Sequence, residues 1–139
     1  MIDEMSPGEI DEFMLTQKVG RVGCSSDGET YVVPVIFARH DDCLYVYTTE
    51  GKKVEMMRKN ARVCFEVDEY LVTGGWRSVI VQGTYEELHD EDARRALKII
   101  SDRVRSSTNS REQDRGSGRV PVAFRVRVTE ITGRKVQRS

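Results

Sequence analysis

A chain of 139 residues has the size of one ordinary domain, and it can bury a core without disulfides or a structural metal. With 38% hydrophobic residues, 32% charged residues and a net charge of −1, it has no overall field to draw it to nucleic acid or an anionic membrane. No apolar run approaches the roughly 20 residues of a membrane helix, and the acidic start Met1-Ile2-Asp3-Glu4 is unlike a secretory signal, so a cytoplasmic protein is expected. Cys24, Cys43 and Cys64 are odd in number and form no C-x-x-C, which argues against zinc and suits a reducing compartment.

In chain order, Ser6-Pro7-Gly8-Glu9 is a helix start: Ser6 caps, Pro7 suits the first position, and Glu9 can reach back to complete a capping box. Ile10, Phe13, Met14 and Gln17 trace one face of that helix, which ends near Lys18. From Val19 the period becomes two-fold. A strand to Ser25 turns at Ser26-Asp27-Gly28 into a second strand, Thr30 to Arg39. Pro34 cannot donate to a ladder, so it marks a bulge, an edge, or a backbone surface left open for a ligand.

After His40-Asp41-Asp42 a third strand covers Cys43 to Thr48, and a short helix opens at Thr48-Thr49-Glu50-Gly51-Lys52-Lys53 and runs to about Asn60. Arg62 to Val67 is strand four. Strand five runs from Trp76 or Arg77 to Glu87, with Val79, Val81 and Tyr85 on its apolar face. Asp90 to Arg103 reads as a helix with Ala93, Ala96, Leu97 and Ile100 inward, and the polar segment 106–118 as a mobile loop. Val120 to Ile131 closes the chain with Val120, Val122, Phe124, Val126 and Val128 on one side. Six strands at short spacing with few helices favour a mainly β fold, a small closed antiparallel barrel, as a single domain over 1–139.

Nucleophilic catalysis finds little support, because His40 and His89 fall at a turn and a helix start with no orienting set around them. The loop arginines Arg111, Arg115 and Arg119 are interleaved with Glu112 and Asp114, so nucleic-acid binding is not expected. Two clusters stand out. Thr48-Thr49-Glu50-Gly51-Lys52-Lys53 lies where a strand enters a helix, and it offers hydroxyls, a glycine and two cations to a phosphate monoester. Lysines at a helix start oppose the helix dipole, a conflict that a bound anion would relieve; the plain alternative is a solvated face. Gly74-Gly75-Trp76-Arg77-Ser78 places the single tryptophan where it either lies across a planar ligand or anchors the core.

With these clusters placed, the chain resembles the FMN-binding split-barrel proteins related to pyridoxamine 5′-phosphate oxidase, in particular the short branch with the Nim-type nitroimidazole reductases. The matching pieces follow in order: Lys18 to Cys24, Tyr31-Val32-Val33-Pro34-Val35-Ile36-Phe37, Leu44 to Lys53, Asn60 to Val67, Trp76 to Gly83, and Glu130-Ile131-Thr132-Gly133-Arg134-Lys135. The resemblance implies a six-stranded antiparallel split β-barrel and a homodimer with FMN along the subunit interface. It implies that the backbone of Val33, Pro34, Val35 and Ile36 lines the isoalloxazine ring. Tyr47, Thr48 and Thr49 would then reach the ribityl-phosphate end, with Gly51 at the corner and Lys52 and Lys53 holding the phosphate. Trp76, Arg77 and Ser78 would contact the flavin from a neighbouring strand.

The chain departs from this pattern in two ways. No histidine lies near Tyr47, where Nim-type members often carry one, and the C-terminal stretch Gly133-Arg134-Lys135-Val136-Gln137-Arg138-Ser139 has no histidine, where true pyridoxamine phosphate oxidases carry a longer segment with Arg and His for the substrate phosphate. Vitamin B6 oxidation is therefore not expected. Met56 and Met57 read as core residues rather than haem ligands. The expected function is an FMN-dependent oxidoreductase acting on a small organic acceptor, with the flavin carrying the redox chemistry. The alternatives are a flavin carrier or redox sensor without turnover, and a split barrel that holds haem or a deazaflavin.

Overall fold

The computed structural model describes residues 1–104 and 119–137. Seven strands and three helices follow in order: β1 (Asp3–Glu4), α1 (Pro7–Thr16), β2 (Val19–Ser26), β3 (Glu29–His40), β4 (Cys43–Thr49), α2 (Lys52–Lys59), β5 (Arg62–Tyr70), β6 (Trp76–Leu88), α3 (Asp90–Val104) and β7 (Pro121–Val136). The mobile loop expected over 106–118 lies outside the described residues.

Local chemistry sets the first elements. Ser6 accepts from the Glu9 amide at 3.2 Å while Glu9 accepts from the Ser6 amide at 3.0 Å, so the capping box is complete and α1 starts where Pro7 fits best. Ser6→Ala is expected to lower stability by about 1 kcal/mol in urea denaturation. The turn between β2 and β3 carries Asp27 at φ 53° and Gly28 at φ 79°, two successive left-handed residues whose twist suits a tight hairpin.

All pairings are antiparallel. The order β7-β4-β3-β2-β5-β6 closes on itself because β6 also pairs with β7 along nearly its whole length. The expected six-stranded ring is therefore present. The seventh strand, β1, is an addition of two residues on the outer edge of β7, Asp3 opposite Lys135 and Glu4 opposite Arg134. Closure leaves one face of each strand inward, and Val22, Phe37, Phe65, Val79, Val81, Phe124 and Val126 fill the interior. Ile10, Phe13 and Met14 of α1 and Met57 of α2 plug into the same core. A second cluster lies outside the barrel, where Ala96 and Ile100 of α3 cover Ala38, Tyr45 and Ala123.

Several bounds and facings differ from the sequence expectation, among them β5, which runs to Tyr70 rather than Val67. β7 runs on to Val136 because β6 continues to offer partners past the irregularity at Gln82/Gly83. Val120 is exposed, since it precedes β7 rather than joining its inward row. Leu97 is 39% exposed, on the solvent side of α3, because Ala96 and Ile100 suffice to cover the narrow contact.

The barrel wall is split on one side. β3 pairs with β2 over residues 29–36 but with β4 only over 37–40. The other edge of the first half of β3 therefore has no strand beside it among the described residues. β4 leaves that edge to pair with β7 through Thr49 opposite Pro121, and then bends into α2. No described helix is long and apolar enough to cross a membrane.

Candidate functional site

Pro34 sits in the half of β3 that has a strand on one side only, an edge that tolerates a residue without an N–H. Val33 and Val35 point in and pack against the core, whereas Pro34 and Ile36 point out and are exposed. Across the split, Tyr47, Thr48 and Thr49 are half-buried at the end of β4. The structure thus brings the Val33–Ile36 edge and the Tyr47–Lys53 corner to the two sides of one opening.

The corner is electrostatically uneven. Glu50 is the one acid between Tyr47 and Lys53, and it is turned onto Arg58, which bonds it at 2.6 Å and also takes Glu87 at 2.7 Å. Tyr85 donates to Glu87 at 2.7 Å, and burial followed by that carboxylate pushes the phenol well above its ordinary range. With Glu50 so neutralised, the start of α2 keeps its positive end. Among the described residues no side chain caps it, Gly51 stands at the N-cap, and the Thr49 carbonyl alone comes within 4.0 Å of a Cβ built there. Gly51 has an extended φ of 169°, so openness rather than a glycine-only conformation distinguishes the position.

The two lysines have different environments. Lys52 is exposed, ion-paired with Glu29 at the start of β3, and its ammonium lies 5.0 Å from the centre of the Tyr31 ring. Glu29 holds its pKa above the usual value. Lys53 is half-buried, and no carboxylate contacts it among the described residues. Burial first, and then the positive charge of Arg119, lower its pKa, against a small opposing effect of Cys24.

Trp76, Arg77 and Ser78 stand elsewhere. They begin β6, opposite Tyr70, Glu69 and Asp68 of β5. Gly83, near the Lys53 end of the sheet, lies seven residues further along β6, about 23 Å of strand. Arg77 is occupied: its guanidinium lies 4.7 Å from the centre of the Phe13 ring and binds Glu69, which also accepts from Gln17. Within one copy of the chain, this cluster does not meet the corner.

Three features were not anticipated from the residues alone. Arg119, two residues before β7, acts on the corner through its charge. A cavity of about 590 Å³ lies on the outer face of β2, β3, β5 and β6, lined by Gly23, Thr30, Val32, Cys64 and Gln82 among others, and none of the expected site residues lines it. Beside it on the same face, Arg21 lies 3.4 Å from both Glu66 and Asp68; burial first, then Asp68, pushes the Glu66 carboxyl up to about 7. The signal for this last cluster was present as the alternation Glu66-Val67-Asp68 opposite Arg21, but it required the β2–β5 register. His40 and His89 are exposed, and no described group of three or more His, Cys, Asp or Glu side chains is arranged to hold a metal.

Comparison with known proteins places this geometry in context. A family model described as pyridoxamine 5′-phosphate oxidase matches residues 6–135. A protein of Rhizobium meliloti (strain 1021) is 32% identical over 84 residues, a match that spans 60% of this chain and 56% of that protein. Among solved structures, an FAD-binding protein from Mesorhizobium loti is 32% identical, with a TM-score of 0.83 and 99% of each chain covered. A candidate 5-nitroimidazole antibiotic resistance protein from Bacteroides thetaiotaomicron is 27% identical, with a TM-score of 0.78, over 97% of this chain and 87% of that one.

Proposed function

Because the chain belongs to the pyridoxamine 5′-phosphate oxidase family, we propose that it binds a flavin, FMN, and acts in the cytoplasm as an FMN-dependent oxidoreductase on a small organic acceptor. The single observation that carries this reading is the split in the barrel wall, which sets an open strand edge at Val33–Ile36 opposite a half-buried Lys53 that no carboxylate contacts among the described residues. A flat ring system suits the edge, and a phosphate suits the corner, where the uncapped N–H groups of α2 add to the lysine charge. Tyr47, Thr48 and Thr49 lie between the two and would bind the ribityl chain. The flavin-binding description of the Mesorhizobium loti structure supports the same class of ligand.

When bound, the flavin supplies the electron-transfer chemistry, and the protein's part is to bind, orient and shield it. A homodimer completes the site in this reading. Val19, Val32, Ile36 and Ile80 are exposed on one outer face of adjacent strands, Val32 by 66%, a surface that a second copy would cover. Such a copy would also bring a Ser78 and a Trp76 toward an opening that the chain's own cannot reach. The free thiols Cys24 and Cys43 are buried and unpaired by disulfide, as suits a reducing compartment.

The test is the absorption spectrum and mass of the small molecule that co-purifies, followed by titration of the stripped protein with FMN. A flavin spectrum, with Lys53→Ala weakening FMN about 10–100-fold, is the expected result. A haem or deazaflavin spectrum, or unchanged FMN affinity in the variant, would refute the proposal. Stopped-flow reduction by a nicotinamide donor then separates enzyme from carrier: turnover with an added quinone or nitroaromatic is expected, and fast reduction that no acceptor reverses would mean a carrier.

A further inference from the structure

The phosphate corner of the proposed flavin site has one cation too many in sequence and one missing in space. Lys52 and Lys53 are adjacent in the chain, yet successive helix positions point about 100° apart, and the environments differ accordingly. Lys52 faces the β3 hairpin, where Glu29 and the Tyr31 ring take up its ammonium. Lys53 turns inward toward Cys24 of β2.

The second positive charge that acts on Lys53 comes from Arg119. The Val120 carbonyl accepts the Glu50 N–H at 2.8 Å, and Pro121 lies opposite Thr49 in the β4–β7 register. These two contacts fix the backbone of Arg119 against the turn that leads into α2, and its charge is felt at the Lys53 ammonium. The acid that would otherwise sit between them, Glu50, is held away by Arg58. The exposed Arg119 and the half-buried Lys53 carry like charges that repel, and an anion between them turns that repulsion into attraction.

We propose that Arg119 is the second cation of this corner: with Lys53 it holds the terminal phosphate of the nucleotide, while Lys52 is a strut that ties α2 to the open edge of β3. The assignment rests on the flavin reading above and adds to it a residue from the far end of the chain. A guanidinium offers a planar pair of donors that matches two phosphate oxygens, so it contributes direction as well as charge.

The experiment is fluorescence titration of the full chain with FMN and, separately, with riboflavin, which has the same ring system but no phosphate. Arg119→Gln and Lys53→Ala are each expected to weaken FMN about 10–100-fold and to leave riboflavin affinity unchanged, with Lys52→Ala costing the least of the three. Arg119→Lys should recover part of the loss, since it restores charge without the fork. The assignment is overturned if Arg119→Gln binds FMN as the wild type does, if it loses FMN and riboflavin alike, or if Lys52→Ala matches Lys53→Ala. A wild-type chain that binds neither flavin overturns the flavin reading and this inference with it. Wild-type FMN binding beside an unaffected Arg119→Gln overturns only the role of Arg119.

Discussion

Gly83→Ala should lose about 3 kcal/mol of stability, a fall of about 10 °C in melting temperature, although it adds a single methyl group. A Cβ at Gly83 would lie 2.5 Å from the Arg127 carbonyl oxygen and 2.6 Å from a methyl of Val126. The first of these contacts is with backbone, so no rotamer change relieves it. β6 or β7 must move, and it must do so beside the irregularity at Gln82/Gly83, where the pairing register already shifts. That seam closes the barrel. It also carries the first half of β7, whose start meets Thr49 and Glu50, so the variant should lose flavin affinity as it loses stability. Gly8→Ala is the control, because nothing lies within 4 Å of its added Cβ. Urea denaturation of the two variants decides the matter: equal stability would mean that the seam is looser than the contacts imply.

The same seam explains what was legible in the residues and what was not. Signals contained in a few neighbouring positions were readable: the Ser6–Glu9 box, the Asp27-Gly28 turn, and the inward row Val79, Val81 and Tyr85. The end of β7 was not. Thr129 and Glu130 are exposed in succession, so the two-fold alternation breaks there and resumes at Ile131 on a shifted register. The strand expected from the sequence ends at Ile131, just past that break, whereas β6 continues to offer partners as far as Val136. β1 has no signal at all, since Asp3 and Glu4 are poor strand formers that pair only because the edge of β7 is free.

The candidate site divides in the same manner. Thr48 to Lys53 announces itself as a strand-to-helix corner, and Pro34 as an edge residue, because both readings rest on local backbone chemistry. Which lysine faces inward depends on how α2 lies on β2, and Arg119 joins the corner only through the β4–β7 register. Trp76, Arg77 and Ser78 stand apart from that corner within one copy of the chain, a separation fixed by the β5–β6 register, and Arg77 there meets Phe13 and Glu69, contacts that bring together α1, β5 and β6.

Glu66→Gln should flatten the pH dependence of both stability and self-association. Glu66 faces outward from β5 between Arg21 of β2 and Ile80 of β6, with Asp68 and Cys64 flanking it on its own strand. Arg21 and Asp68 are the charged neighbours, and the guanidinium at 3.4 Å does not offset burial and the second carboxylate. With its carboxyl raised from 4.5 to about 7, the folded chain holds a proton that the unfolded chain has released. Stability therefore falls as pH rises from about 4.5 through 7, by about 1–2 kcal/mol after allowance for partial exposure. The glutamine variant should match the wild type near pH 4.5 and exceed it at pH 8, as read from melting temperatures across that range.

The association proposed for the apolar outer face carries a second consequence. Covering Glu66 with another copy strips more water from it, which costs an ionised carboxylate far more than a protonated one. The dimer should take up protons as it forms and be tighter at pH 6 than at pH 8, with two copies of the effect in a two-fold interface. Sedimentation at the two pH values tests this. A wild-type dissociation constant that does not move with pH, or a Glu66→Gln variant with the wild-type slope, would place the second copy on some other face, and the open edge at Val33–Ile36 would then have to be completed by the chain alone.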